Sequence, residues 1–210
     1  MVKLNRVGKW AMNSPQRAFA QRHYVGPLLE RLGGQVTDGR ALEVGCGRGV
    51  GVEIILERFG AREVQALDFD AQMVELARRR LRRYLPDRVR VNVGDATQID
   101  AADDSFDAVF DFGAIHQIAD WPKAVSEVRR VLKPGGRFFF EEIAWRPLRR
   151  LMRFTVQDYD DLIDNPFGPR EFLQELRRQG FTFDGTSVPR RVLSLTGVIG
   201  DLIGVGVNNG

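Results

Sequence analysis

The sequence predicts a doubly wound α/β domain with a mostly parallel sheet. Three observations carry that prediction. Short apolar runs of strand length alternate with helical segments between residues 41 and 143. The intervening segments are long enough for the crossovers that parallel strands require. A glycine-rich turn, Gly45 to Gly49, leaves the first strand and opens straight into a helix. The chain has 210 residues, enough for one well-buried domain and short for two.

Ser14-Pro15 reads as an N-cap with proline at the first helical position. The helical region it opens runs to about Leu32, bends or restarts at Gly26-Pro27, and ends at Gly33-Gly34. Ala41 to Val44 is the first strand, followed by a helix near Val50 to Phe59. Val64 to Leu67 is the second strand, and Asp70 caps a helix through Leu76, Ala77 and Leu81 to about Tyr84. Val89 to Val93 and Phe106 to Phe110 are the third and fourth strands. Asp120 to Leu132 is a helix and Arg137 to Ile143 the fifth strand. A basic, irregular stretch, Ala144 to Gly168, then precedes a helix from about Pro169 to Gln179. Two last strands, near Val188 to Leu195 and Gly200 to Val207, are joined at Thr196-Gly197. Strands so closely joined pair as a hairpin and place an antiparallel strand in the sheet.

Composition narrows the class. Hydrophobic residues make up 43% and charged residues 28%, which excludes general disorder. The net charge is +3, and only four basic residues are lysines; so mild an excess identifies no partner. Cys46 is the single cysteine, so no intrachain disulfide forms and a cytoplasmic home is expected. No signal peptide is expected at the N-terminus. The apolar stretch Val192 to Val207 is interrupted by Ser194, Thr196 and Asp201, and falls short of the roughly 20 apolar residues of a transmembrane helix.

The sharpest motif is Glu43-Val44-Gly45-Cys46-Gly47-Arg48-Gly49. Glycines at alternate positions let backbone amides approach a ligand and aim a helix N-terminus at it. A dinucleotide fingerprint started at Gly45 needs a glycine where Val50 stands; started at Gly47, it needs one at Val52. The carboxylate of Glu43 beside the loop suits a cationic ligand and repels a pyrophosphate.

From about Gly39 to Ile143 the chain resembles the class I S-adenosylmethionine-dependent methyltransferase superfamily, particularly its small-molecule, type 11-like branch. The resemblance implies a seven-stranded, mostly parallel Rossmann-like sheet, and S-adenosylmethionine as cofactor with S-adenosylhomocysteine as product. Glu43, Gly45, Cys46, Gly47 and Gly49 match the first cofactor motif. Asp68 matches the acid that holds both ribose hydroxyls, and a carboxylate can accept from both. Phe69 is placed against the adenine face. Gly94-Asp95-Ala96 resembles the adenine-edge motif, with Asp95 accepting from the exocyclic amine and the Ala96 amide donating to the ring. Asp111, closing the fourth strand, is counted with the cofactor set. Arg130 to Arg137 resembles the turn into strand five.

Other polar residues read as structural. Asp70 is a helix cap, Asp107 satisfies nearby backbone, and Cys46 is a packed residue with no electropositive neighbour beyond Arg48. A metal is not expected, because His23 and His116 lie far apart and share no motif.

Methyl transfer depends on holding an acceptor in line with the sulfonium, and needs a base only when the acceptor loses a proton. The acceptor side follows the fourth strand, where His116 matches the first of one or two family histidines and Gln117 stands at the second. His116 is a candidate general base, with a packing and capping role as the alternative. The resemblance assigns acceptor specificity to residues 1–30 and 144–168. The chain thus divides into an N-terminal helical cap (1–34), a cofactor-binding core (39–143), an acceptor-side lid (144–168), and a C-terminal helix and hairpin (169–210).

In the lid, Trp145 to Phe154 mixes arginines with large apolar groups, which suits either an anionic head group at a membrane surface or a solvated helix face. Arg78 to Arg83 reads as a solvated face, since no aromatic platform accompanies it. Trp10, Tyr24, Tyr159 and Phe167 are candidates for the acceptor pocket or for core. The expected acceptor is a small or lipid-like molecule. Nucleic acid is disfavoured because the Asn/Asp-Pro-Pro-aromatic signature is absent after strand four. An RNA or protein methyltransferase, and a non-catalytic adenosylmethionine-binding module, remain as alternatives. Nothing in the sequence sets the oligomeric state.

Overall fold

The computed structural model describes residues 14–142, 167–183, 190–191 and 202–210. Its strands are β1 (Arg40–Val44), β2 (Glu63–Asp68), β3 (Val89–Val93), β4 (Phe106–Phe112), β5 (Leu132–Glu142), β6 (Phe181–Thr182), β7 (Arg190–Arg191) and β8 (Leu202–Asn208). Its helices are α1 (Pro15–Ala20), α2 (Gly26–Gly33), α3 (Val50–Glu57), α4 (Ala71–Arg80), α5 (Trp121–Val131) and α6 (Pro169–Arg178). The strands lie in the order β3-β2-β1-β4-β5-β8-β6, with the two-residue β7 pairing β8 off this path. Neighbours among β1 to β5 are parallel. β8 runs antiparallel to β5, β6 and β7. This path is the expected seven-stranded, mostly parallel sheet with one antiparallel strand.

A parallel sheet must be covered on both faces, and strand alternation supplies both. On β5, Phe139 faces one core with Phe59, Phe110, Ile55 and Leu29, beneath α2, α3 and α4. Phe138 and Phe140 face the other, with Val125, Val128, Phe172 and Leu176 of α5 and α6. Phe110 stacks on Phe139 with centroids 4.5 Å apart, and Phe59 meets both rings edge-on at 4.8 and 5.1 Å.

Several expected elements shift for local reasons. Ser14 caps α1, its hydroxyl accepting the Arg17 N–H at 3.1 Å. The helical region restarts as α2 at Gly26-Pro27, as expected. It passes through a π-helical turn, Gln21–Val25, where the Gly26 N–H reaches back to the Gln21 carbonyl. Pro27 has no N–H to donate, so the preceding turn widens rather than ends. Asp70 caps α4 through the Gln72 N–H at 2.9 Å, as expected, but α4 stops at Arg80 rather than Tyr84. Leu81 leaves helical geometry and packs in the core, and Tyr84 turns to hydrogen-bond Glu57 of α3 at 2.8 Å.

Strand β5 starts early, at Leu132. Its pairing with β4 shifts between Phe106 and Ala108, so residues 133–136 loop out of register. Buried Asn208 closes that loop, donating to the carbonyls of Leu132 (2.7 Å) and Lys133 (3.0 Å). The expected hairpin is present where it is described: Arg190 pairs with Ile203 and Arg191 with Leu202. Its turn at Thr196-Gly197 and the segment 143–166, most of the expected lid, lie outside the described residues. Strand β6 was not expected, since two residues are too few to show an alternation. Among the described residues no helix is long and apolar enough to cross a membrane.

Phe110→Ala should lower the unfolding free energy by about 3–5 kcal/mol, because its aromatic neighbours Phe59, Phe112 and Phe139 are held by the sheet and the chain after α3 and cannot close the void. The check is a lower urea midpoint with an unchanged slope.

Candidate active site

Strand order places the site. From β1 the chain winds outward through β2 and β3, then returns to β4 on the other side of β1. The loops leaving β1 and β4 therefore diverge at the carboxyl edge and open a crevice there. Register sets their neighbours: Val44 lies beside Leu67 and Asp111, and Asp68 beside Val93. The sequence motifs around Gly45, Asp68, Asp95 and Asp111 thus meet along one edge.

The glycine loop is shaped from within. Gly45, Gly47 and Gly49 have φ of +68°, +51° and +83°, a region open to glycine and costly for other residues. A Cβ on Gly45 would stand 2.2 Å from the Ala114 Cβ, so this glycine is where the β1 and β4 loops touch. The Cys46 N–H donates to the Leu67 carbonyl at 2.9 Å, and Asp68 fixes the loop further. One Asp68 oxygen accepts the Gly47 N–H at 2.8 Å and the other the Asp70 N–H at 2.9 Å. A carboxylate oxygen can accept more than one hydrogen bond.

Glu43 lies beneath the loop and not in the crevice; only 2% of it is exposed. Its Oε1 occupies the space a Cβ on Gly51 would need, 2.0 Å away. Burial first, then Asp68 and Asp111, push its carboxyl well above the ordinary range, against the opposing Val52 N–H. Its Oε2 is buried with no hydrogen-bond donor. Burial likewise pushes the Cys46 thiol up, aided by Glu43 and Asp68, which makes it a packed residue rather than a nucleophile.

On the β3 side, Asp95 accepts the Thr97 N–H (2.8 Å) and hydroxyl (2.9 Å) with one oxygen. Burial raises its pKa, but those bonds outweigh it and hold the carboxyl below the usual range. Ala96 is buried, and Phe69 is half-buried at the bend after β2. Asp107, as expected, serves the backbone: it accepts the Arg40 N–H and the Lys133 ammonium.

The β4 side joins the expected Asp111 and His116 to residues the sequence did not single out, Arg17, Glu141 and Glu142. Asp111 is fully buried; its Oδ1 accepts the Ala114 N–H at 2.7 Å, and its Oδ2 has no partner. Burial and then Glu142 push its carboxyl well up. His116 Nδ1 lies 2.5 Å from Glu142 Oε2. Glu142 is fully enclosed, and burial raises it to about 7 against the Ile115 and His116 amides. Alternation turns its neighbour Glu141 to the opposite face, where Arg17 of α1 binds it through both oxygens at 2.6 and 2.8 Å. Arg17 also donates to the Phe112 carbonyl at 3.0 Å. The signal available in the sequence was two acids ending the apolar run Phe138-Phe139-Phe140, a place where burial forces acids to find partners.

The remaining candidates separate. The Gln117 amide donates to the Gly113 carbonyl at 3.0 Å. Phe167 is core, between Trp121 (4.7 Å) and Phe172 (4.6 Å), and Tyr24 is exposed. Trp10 and Tyr159 lie outside the described residues. In the basic run after α4 begins, Arg78 binds the Val91 carbonyl, Arg79 pairs with Glu75, Arg80 with Glu53 and Arg83 with Glu57.

The donor set fits a sulfonium-bearing adenosine: a carboxylate, Asp68, at the end of β2, glycines with positive φ at alternate loop positions, and a buried acidic oxygen lacking a donor.

Two outcomes follow for the apo protein. Arg17→Met should cost about 3–5 kcal/mol by stripping Glu141 of its bidentate partner in a buried site, read as a lower urea midpoint. The raised carboxyls of Glu43, Asp111 and Glu142 bind protons in the native state that the unfolded chain releases above about pH 4. Stability contributed by them is therefore greatest at the acid end and declines as pH rises, through about 7 for Glu142. A urea midpoint higher at pH 5 than at pH 8 is expected; the reverse order would contradict the protonated carboxyls.

Comparison with known proteins agrees with this geometry. A family described as "Methyltransferase domain" matches residues 41–136. A malonyl-[acyl-carrier protein] O-methyltransferase of Methylococcus capsulatus is 34% identical over 179 residues, covering 81% of this chain and 62% of that protein. A probable phthiotriol/phenolphthiotriol dimycocerosates methyltransferase of Mycobacterium ulcerans is 36% identical, covering 63% of this chain and 49% of that one. The chain thus spans less than two thirds of these relatives. A solved Pyrococcus horikoshii protein superposes with a TM-score of 0.71 at 24% identity, covering 94% of this chain and 93% of that one. With the glycine loop, its anchoring acid and the strand order in place, the chain belongs to the class I S-adenosylmethionine-dependent methyltransferase superfamily.

Proposed function

We propose that this protein transfers a methyl group from S-adenosylmethionine to a small or lipid-like acceptor in the cytoplasm. The observation that carries the reading is the convergence of four strand ends on one crevice. There Asp68 anchors the glycine loop on one side, and His116 backs onto Glu142 on the other. The cofactor supplies an electrophilic methyl on a sulfonium. In this reading Asp68 receives the ribose hydroxyls, Asp95 and Ala96 the adenine edge, and Phe69 its face. Glu43 and Asp111 underlie the charged end as buried carboxyls, and Gly45, Cys46, Gly47 and Gly49 supply the close backbone approach. Much of the acceleration then comes from holding acceptor and donor in line.

The acceptor class rests on three supports. Relatives act on an acyl-carrier-bound malonyl group and on phthiotriol-type lipids by name. Arg78, Arg79, Arg80 and Arg83 of the α4 segment are engaged by internal partners, which reduces the basic stripe open to RNA. The cap that Arg17 ties to the carboxyl edge presents Phe19 and Tyr24 to solvent, 57% and 61% exposed, a surface suited to an apolar molecule.

The direct test incubates the protein with isotopically labelled donor and cell extract. Label in the metabolite or lipid fraction is expected; label in RNA or protein, or donor binding with no transfer at all, would replace the proposal. Asp68→Ala should weaken donor binding at least about tenfold by calorimetry, since it removes the diol acceptor and loosens Gly47 together. An affinity within a factor of about two would take Asp68 out of the ribose site.

A further inference from the structure

We propose that the outer face of the N-terminal cap, formed by Phe19, His23 and Tyr24, docks this protein on an anionic lipid surface.

The face follows from helix geometry. Residues two apart on an α-helix point about 200° from each other. Arg17 turns inward to Glu141 and the Phe112 carbonyl, so Phe19 turns outward. Ala20, Gln21 and Val25 are buried on the inner side, and Pro15, Gln16, Phe19, His23 and Tyr24 are exposed on the outer. The π-helical turn Gln21–Val25 closes its hydrogen bond five residues on, from the Gly26 N–H to the Gln21 carbonyl. That wider turn keeps both His23 and Tyr24 beside Phe19, with ring centroids 4.3 and 6.4 Å from its own. Such turns are rare and concentrate at functional sites. Here the outcome is three rings gathered at the surface, with Phe19 57% and Tyr24 61% exposed.

Size and charge select the occupant. Among the described residues the other exposed large apolar side chain is Val93, at the end of the edge strand β3. A buried aromatic ring supplies about 150–250 Å². Phe19 and Tyr24 together therefore fall well short of the roughly 800 Å² per partner of a stable protein interface. Two ring tips do suffice for the headgroup region of a bilayer, where a ring with an apolar body and a polar tip is favoured. The charge agrees. Up to Leu29 the sequence holds Lys3, Arg6, Lys9, Arg17 and Arg22 and no aspartate or glutamate. Arg17 and Arg22 are bound to Glu141 of β5 and Glu53 of α3. Lys3, Arg6 and Lys9 have no acid within their own segment to offset them. A basic segment leading into an aromatic face is drawn to anionic headgroups across a Debye length, without fixed side-chain geometry.

Docking through this face sets the crevice close to the lipid. Arg17, two residues from Phe19, bonds the carbonyl that ends β4. A Cβ on Gly113, the next residue, would meet Arg17 Nη2 at 3.5 Å and His116 Cε1 at 3.7 Å. The helix that touches the bilayer is thus the one that touches the loop after β4. A lipid-like acceptor then has a short path from the membrane to the crevice.

Vesicle binding needs neither donor nor acceptor, so this inference holds or fails apart from the methyl-transfer reading. The measurement is co-sedimentation with vesicles of phosphatidylcholine and phosphatidylglycerol, beside vesicles of phosphatidylcholine alone. The protein should bind the mixed vesicles more tightly, and the difference should shrink as salt rises. Phe19→Ser combined with Tyr24→Ser should weaken that binding at least about tenfold. The urea midpoint should stay unchanged, because both side chains already face solvent. Phe19→Trp keeps the aromatic body, so it should bind as the wild type does, and the emission it adds should shift to the blue on mixed vesicles. The wild type and Phe19→Trp decide the matter even if the serine variant does not fold. No binding to mixed vesicles, equal binding by the double variant, or added emission that vesicles leave unchanged overturns the proposal. A wild-type dimer in analytical ultracentrifugation that the double variant dissolves also overturns it, and assigns the face to a second copy.

Discussion

At Gly45 the chain leaves β1 in a left-handed conformation, with the Ala114 side chain pressed into the space a Cβ would fill. That contact joins the two loops that diverge at the switch point of the sheet. Loosening it would separate the glycine loop, with its anchor on Asp68, from the β4 loop, with its histidine. Every distance across the crevice depends on this one close approach, and close approach of two backbones is what glycine permits.

Around that contact the carboxyl edge gathers five buried carboxyl groups. Glu43, Asp68, Asp111, Glu141 and Glu142 are all buried. Burying carboxylates is costly unless they are paired, hydrogen-bonded or protonated. This chain uses all three remedies. Arg17 neutralises Glu141, backbone amides hold Asp68, and the raised affinities of Glu43 and Asp111 keep protons on them. The arrangement sacrifices stability for a field that suits a cationic ligand and a base, as functional sites commonly do.

The N-terminal cap belongs to the same logic. Arg17 lies 124 positions before Glu141 in the chain, yet it locks α1 onto both β4 and β5. The π-turn that follows carries Arg22 to Glu53 at the start of α3, where Arg80 of α4 also binds. Two ion-paired contacts thus seat the cap over the edge where the ligand loops emerge.

Much of this protein was written locally. The alternation of strands and helices, the caps at Ser14 and Asp70 and the glycine loop follow from residues near one another in the chain. Periodicity, capping and turn chemistry act over a few positions, so they can be read in order. Alternation along Phe138 to Glu142 even dictates that the two terminal acids face opposite sides. What they meet there was decided by the tertiary fold. Arg17 reaches Glu141 across 124 positions and His116 reaches Glu142 across 26, contacts made only once β5 lies beside β4 and α1 packs across the sheet. The two-residue β6 and the widened turn before Pro27 are likewise products of packing, because neither carries a repeat long enough to announce itself. A side chain's face is set by its own strand, but its partner is set by whichever distant segment the closed core brings to that face.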